Sequence, residues 1–335
     1  MHEHRTESVL PATSRRSARI ERADISIFRD MLATLTASDR RFGGTGSAIL
    51  AAHYLSSIIE PRLSLAADEG LRRELVTVAT RFALRVAAMH LDAGRIFDSR
   101  RLIGTALGVA QESDDLSLTA WVLARRGEQA MHEATLARNR RDETAWHTHT
   151  KAAGGYTSGA AAMVSHAPPA AQAFILAKHA LAVSMTGDRS ATLQILRKVH
   201  QCQDRAGTQT EPEWMGIYGW NHVRHEEARV YCNLGMGEQA VLAVADSLPS
   251  RVDARPRAFS LSRLALGHAL AREVDIEQVC SLTGQLIDGT AGLTSARLVL
   301  GLGEIMQALA VYRNTPPVRD VEEAARPVLA SMPDS

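Results

Sequence analysis

The sequence predicts an all-α protein built from stacked, antiparallel helix hairpins. Three observations carry that expectation. Apolar residues recur at 3- and 4-residue spacings along most of the chain, the period of one helix face. Small residues repeat at fixed offsets from glycine-bearing turns. No segment alternates apolar and polar residues between hairpin turns, so strands are not expected. The composition agrees: hydrophobic residues make up 45% of the 335 residues but aromatics only 4%, so Ala and Leu carry the core, as helix–helix packing requires.

The repeated frame is clearest in Trp214–Ser247, expected to form a helix, a turn at Gly235 and a second helix. Ala228 and Tyr231 lie seven and four residues before that glycine, and Ala240 five after it. Ala228 and Ala240 let the two helices approach closely, while Tyr231 and Leu234 fill the wedge against the next hairpin. Around Gly94 the same offsets hold Ala87, Ser99 and, twelve residues on, Ala106. Gly187 has Ala180 seven before it, and Val274 has Gly267 seven before and Val279 five after. This is the pattern of a tetratricopeptide (TPR) hairpin, which buries its apolar face only by stacking on neighbours. The turn intervals of 40–48 residues exceed the ~34 of a regular repeat, so the expected fold is a degenerate TPR-like α-solenoid forming a superhelix.

Taken in order, residues 1–23 are polar and carry five arginines, which predicts a disordered basic arm before a repeat domain over 24–331. Asp24 is expected to cap the first helix. Arg41–Gly46 breaks the pattern, and a second helix runs through His53 and Tyr54 to Pro61. Leu71, Leu75, Val78, Phe82, Val86 and Met89 then mark a long amphipathic helix, with Ile96–Gln111 as its partner. Asp115 caps a helix carrying Leu118, Trp121 and Val122. Leu136–Ala153 fits the frame poorly, and His147 and His149 are assigned to a loop there. Tyr156–Val164 and Pro168–Met185 resume the helical pattern, and a polar loop over Gln203–Pro212 leads to the central hairpin. Ala258–Arg272 pairs with Ile276–Ile287, Ser295–Arg313 follows, and after Pro316-Pro317 a short helix closes the chain at Val321–Ser331.

A formal charge of +1 gives no global reason to expect nucleic acid or an anionic membrane as partner. Cys202, Cys232 and Cys280 are far apart and form no CxxC, so they read as buried small hydrophobes. No apolar run approaches the ~18 residues of a membrane span, and the N-terminus lacks a signal-peptide core. A soluble, cytoplasmic protein is expected.

Residues 24–330 resemble the TPR-like C-terminal regions of actinobacterial helix-turn-helix regulators of the XRE type. The resemblance rests on Asp39–Gly44, a helix containing His53-Tyr54-Leu55, Ala87–Ala106, Asp114–Ala124 and Glu213-Trp214. It continues through Leu234–Ala240, Arg257–Leu270 and Thr294–Leu309, all in the same order. It implies a sensor or interaction scaffold in transcriptional regulation. The regulators carry a DNA-binding domain ahead of this region, where this sequence has 23 polar residues, so direct sequence-specific DNA binding is not expected to carry over.

In a TPR hairpin the first helix lines the concave groove. With Gly235 at repeat position fifteen, His222, His225, Arg229 and Asn233 fall on that face; the same frame adds Arg81 in an earlier hairpin and His268 and Arg272 in the last. These seven form the candidate ligand-binding groove, a polar patch able to grip a carboxylate or phosphate. The bland alternative is the solvated face of amphipathic helices. His222, His225 and Glu226 share a helix face at i, i+3 and i+4, yet no third strong ligand is fixed by sequence, so neither metal nor cofactor is expected. Gly43-Gly44-Thr45-Gly46 lacks the lysine of a phosphate loop, and no nucleophile–base signature appears. The expected function is a non-catalytic scaffold binding a peptide, a small-molecule signal or a partner protein, with a homodimer compatible. The alternative is an enzyme built on the same solenoid around the central histidines.

Overall fold

The computed structural model describes residues 19–65, 67–216, 218–290 and 295–330, and among them fourteen α-helices occur and no strand. The first pair is α1 (Arg22–Phe42) and α2 (Ala48–Tyr54), the latter continued by tighter and looser turns to Ser64. Six hairpins follow: α3 (Glu69–Asp92) with α4 (Ile96–Gln111), α5 (Leu116–Asn139) with α6 (Glu143–Ala162), and α7 (Pro169–Ser184) with α8 (Arg189–Asp204). Then come α9 (Trp220–Asn233) with α10 (Gly237–Ser247), α11 (Ala254–Ala269) with α12 (Ile276–Gly289), and α13 (Ala296–Leu309) with α14 (Pro316–Ala330).

The turns repeat at atomic detail. Arg95 N–H donates to the His90 carbonyl, Asp142 to Ala137 and Met236 to Tyr231, each at 2.9 Å, which is the six-to-one bond of a Schellman turn. The left-handed residue inside these turns is Gly94, Arg141 and Gly235 respectively. The following helices are capped by aspartates: Asp68, Asp115, Asp142, Asp188 and Asp275 each accept backbone N–H bonds at 2.8–3.0 Å. Seven residues before each turn sit Ala87, Ala134, Ala180, Ala228 and Gly267, all buried, so the paired helices touch almost backbone to backbone. Gly237 shows how close the approach is between hairpins: a Cβ there would meet backbone atoms of Gly267, Leu270 and Ala271 at 2.4–2.5 Å.

Several expectations are corrected. α1 starts at Arg22, Ile20 is buried, and Glu21 is the cap residue, with Asp24 reaching back to its N–H at 3.0 Å; residues 1–18 of the expected arm lie outside the described residues, as does Ser331. His147 and His149 are helical, because Leu136–Ala153 holds a regular hairpin turn whose left-handed position is Arg141 rather than a glycine. Trp214 precedes the central hairpin, in a 3-10 turn at Glu213–Met215; it stacks on Trp121 of α5 with ring centroids 5.0 Å apart. The closing helix begins at Pro316, whose missing N–H costs nothing in the first turn.

Consecutive hairpins stack in the TPR manner, α4 on α5, α6 on α7 and α10 on α11, while α5, α7, α9, α11 and α13 form an inner layer. The stack curls until its ends meet: α11 touches α1, and α13 touches α3 and α5. That seam is ionic. Asp39 of α1 accepts from Arg255 at 2.8 Å and from Arg85 at 3.0 Å. Asp92 of α3 takes a two-pronged contact from Arg297 at 2.6 and 3.0 Å and lies against Arg255, with the Ser295 hydroxyl donating to it at 3.1 Å. Asn139 at the end of α5 donates to the Leu300 carbonyl at 3.3 Å. Apolar burial between hairpins supplies the bulk of the stability, at about 25 cal/mol per Å². The charges fix where the two ends join, because each buried charge tolerates only its own partner.

Candidate functional site

The inner helices bring their charged residues together. Nine residues before the turns at Gly94, Arg141, Gly187 and Gly235 stand Arg85, His132, Lys178 and Glu226, one stripe running across four helices. Lys178 is 2% exposed and places its ammonium 2.7 Å from both Glu128 of α5 and Glu226 of α9. Arg125 donates to Glu128 at 2.8 Å and Arg229 to Glu226 at 3.0 Å. Burial alone would raise both carboxyls. Lys178 and the arginines outweigh it, holding Glu128 well below the ordinary carboxylate range and Glu226 down at about 2.

The histidines report what lies in front of this stripe. Burial, then nearby Arg297 and Arg229, drives His132 to about 3. Burial, with Arg229 and Arg251 adding to it, drives His225 to about 3, and burial with Arg251 drives His222 to about 4. Yet all three keep part of their surface, as do Arg297 at 28% and Arg85 at 31%. A group on an outer face with that much surface would be solvated by bulk water. These residues stand on α3, α5, α9 and α13, and the accessible space beside them is termed the lumen below.

One part of the lumen is incompletely paired. The Tyr218 hydroxyl, His225 Nδ1 and Arg251 Nε are buried atoms without a hydrogen-bond partner. A buried polar atom left unpaired costs about 1–3 kcal/mol, so each of the three calls for a guest or ordered water. They are within electrostatic reach of one another: Arg251 depresses His225, and Tyr218 acts on Arg251. The Arg251 side chain donates to the Asn221 carbonyl at 3.0 Å, and among the described residues it makes no direct ion pair with a carboxylate, unlike Arg125, Lys178 and Arg229. Tyr218 is held edge-on to Phe174 and stacked on His222, which fixes where its hydroxyl points. The set offers the Arg251 and Tyr218 donors beside the Glu226 carboxylate, whose charge acts on all three groups.

Of the residues the sequence singled out, His222, His225 and Arg229 are thus brought together at the lumen. Asn233 is spent on the Ser184 hydroxyl at 2.8 Å, tying α9 to α7. Arg81 holds Glu213 together with Arg29, which fastens the Glu213–Met215 turn to α1 and α3. His268 is half-buried at the far end of α11, and Arg272 is exposed in the turn beyond, its N–H donating to Glu238 at 2.8 Å. Glu128, Lys178, Tyr218 and Arg251 were missed. Glu128 was findable, since it stands thirteen before Arg141 as His222 does before Gly235. No group of three or more potential metal ligands occurs among the described residues, and among them no helix is long and apolar enough to cross a membrane.

The depressed histidines predict a pH dependence. Each binds a proton near 6.5 in the unfolded chain but only near 3–4 in the folded one. Their contribution is therefore intact above pH 6.5 and is lost as pH falls toward 4. The carboxylates Glu128 and Glu226 add a second loss below their ordinary 4.5. Thermal unfolding at pH 7.5 and 5.5 checks this: Tm is expected to drop between the two, and to drop less in His225→Asn. A flat Tm across that interval would contradict histidines held neutral by burial. Compared with known proteins, the chain matches no family model and no curated protein.

Proposed function

We propose that the protein is a non-catalytic regulatory scaffold that captures a small anionic effector in its lumen. The observation that supports this is the trio of unpaired buried atoms, Tyr218 Oη, His225 Nδ1 and Arg251 Nε, one of them on an arginine that makes no direct ion pair among the described residues. A carboxylate or phosphoryl group there would accept from Arg251 Nε, from the Tyr218 hydroxyl and from His225 in its Nδ1–H tautomer, and so satisfy all three. Occupancy would act on the seam, since Arg251 stands just ahead of α11, which carries Arg255 to Asp39 and Asp92. A ligand that binds the closed ring better than the open one shifts the population of the two, which is how such a scaffold would signal to a partner protein. The resemblance to the TPR-like regions of XRE-type regulators supports the same reading, with transcriptional control as its setting.

Thermal shift with a panel of small carboxylates and phosphate esters tests the proposal. A ligand at a hundred times its Kd stabilises by about 2.7 kcal/mol, a readable rise in Tm. Arg251→Met is expected to abolish that rise while leaving the ligand-free Tm within about 1 °C. A rise that persists undiminished in Arg251→Met would move the ligand elsewhere.

A further inference from the structure

The geometry points to a second site on a different face: we propose that the cleft between α4, α5 and α6 binds a small aromatic carboxylate. The cleft has a volume of about 200 Å³, the space of roughly six or seven waters at ~30 Å³ each, which suits one compact organic acid. Ala130, Ala152 and Tyr156 supply the apolar part of its lining. Arg126 lies over one face of the Tyr156 ring at 5.5 Å, so ring and guanidinium form one continuous wall.

The charges in the cleft are arranged to leave one cation available. Glu133 is buried and its carboxylate is fully engaged, taking Arg100 at 2.9 Å, His149 at 3.0 Å and Gln129 at 3.2 Å. It therefore absorbs Arg100 and does not repel an incoming anion strongly. Arg126 spends only Nη1, donating to the Arg100 carbonyl and to Gln129 Oε1, both at 3.0 Å. Those two bonds lock the guanidinium plane and leave its Nε and Nη2 edge without an acceptor among the described residues. That edge presents two parallel N–H donors, which match the two oxygens of a carboxylate. The aromatic body then packs against the uncovered part of Tyr156 and the methyl groups of Ala130 and Ala152. Arg100, Arg126 and His149 sit on α4, α5 and α6 and share no residue with the lumen trio, so the two sites stand or fall separately.

Calorimetric titration of the full chain with sodium benzoate tests it, with benzamide as the neutral isostere and acetate as the ring-less acid. Benzoate is expected to bind at least tenfold more tightly than either, and Arg126→Met to weaken it at least tenfold. Arg251→Met should leave benzoate affinity unchanged. Equal binding of benzoate and benzamide, full affinity in Arg126→Met, or no benzoate binding at all would overturn the proposal. A signal lost in Arg251→Met but kept in Arg126→Met would assign benzoate to the lumen and overturn it equally. Should Arg126→Met fail to fold, Tyr156→Ala serves: it keeps the guanidinium, and it should erase the preference for benzoate over acetate.

Discussion

Asp92→Ala is expected to destabilise the protein by about 3–5 kcal/mol, the usual cost of stripping a buried charge of its partner. Asp92 is fully buried and meets Arg255, Arg297 and the Ser295 hydroxyl at the seam. Without it, two guanidiniums face each other across the junction, and Arg255 keeps only Asp39. At roughly 2 °C per kcal/mol for a chain of this size, Tm should fall by about 6–10 °C. The double variant Asp92→Ala with Arg297→Met should recover part of that loss, because the pair is coupled. Denaturant unfolding measures both; a cost under about 1 kcal/mol for Asp92→Ala would mean that the seam is not closed in solution.

Lys178→Met is the second large effect, again about 3–5 kcal/mol at neutral pH. Its ammonium is shared between Glu128 and Glu226 and is almost wholly buried. Methionine fills the volume but leaves two carboxylates facing each other in a protein-walled space. One of them then holds its proton to higher pH than in the unfolded chain. A raised folded pKa contributes stability below the unfolded value and loses it as pH rises, so the variant's deficit should shrink on acidification from pH 7 to 5. The wild-type protein is expected to move the other way over that interval. Adding Glu226→Gln to Lys178→Met should restore part of the loss at pH 7. Equal deficits at both pH values would show that the carboxylates are solvated.

How far the sequence reveals all this depends on which physical signal each element leaves. The hairpins at Gly94, Gly187 and Gly235 are legible because a left-handed turn residue is cheapest as glycine. The α5–α6 hairpin hides because Arg141 takes that conformation, and with its turn unseen the helical His149 reads as a loop residue. The aspartate caps at 115, 142, 188 and 275 would have recovered it, since each stands one residue before a helix. The groove stripe is half legible. Offsets from Gly235 reach His222, His225 and Arg229, but the stripe nine residues before each turn carries Lys178 and Glu226, whose importance comes from each other across two helices. Trp214 reads as helix from its apolar neighbours; its stacking on Trp121, 93 positions away in the chain, is invisible to local periodicity. Ring closure leaves no local mark, because Asp39 and Asp92 look like ordinary helix-end charges until α11 and α13 arrive beside them.

Native mass spectrometry of the gently purified protein, wild type beside Arg251→Met, tests the lumen most directly. The expected result is a small anionic adduct on the wild-type monomer mass or a multiple of it, absent from Arg251→Met at equal charge state. A wild-type protein that runs at its bare mass through every gentle preparation, or an adduct held equally by Arg251→Met, would contradict an effector gripped by Arg251, Tyr218 and His225.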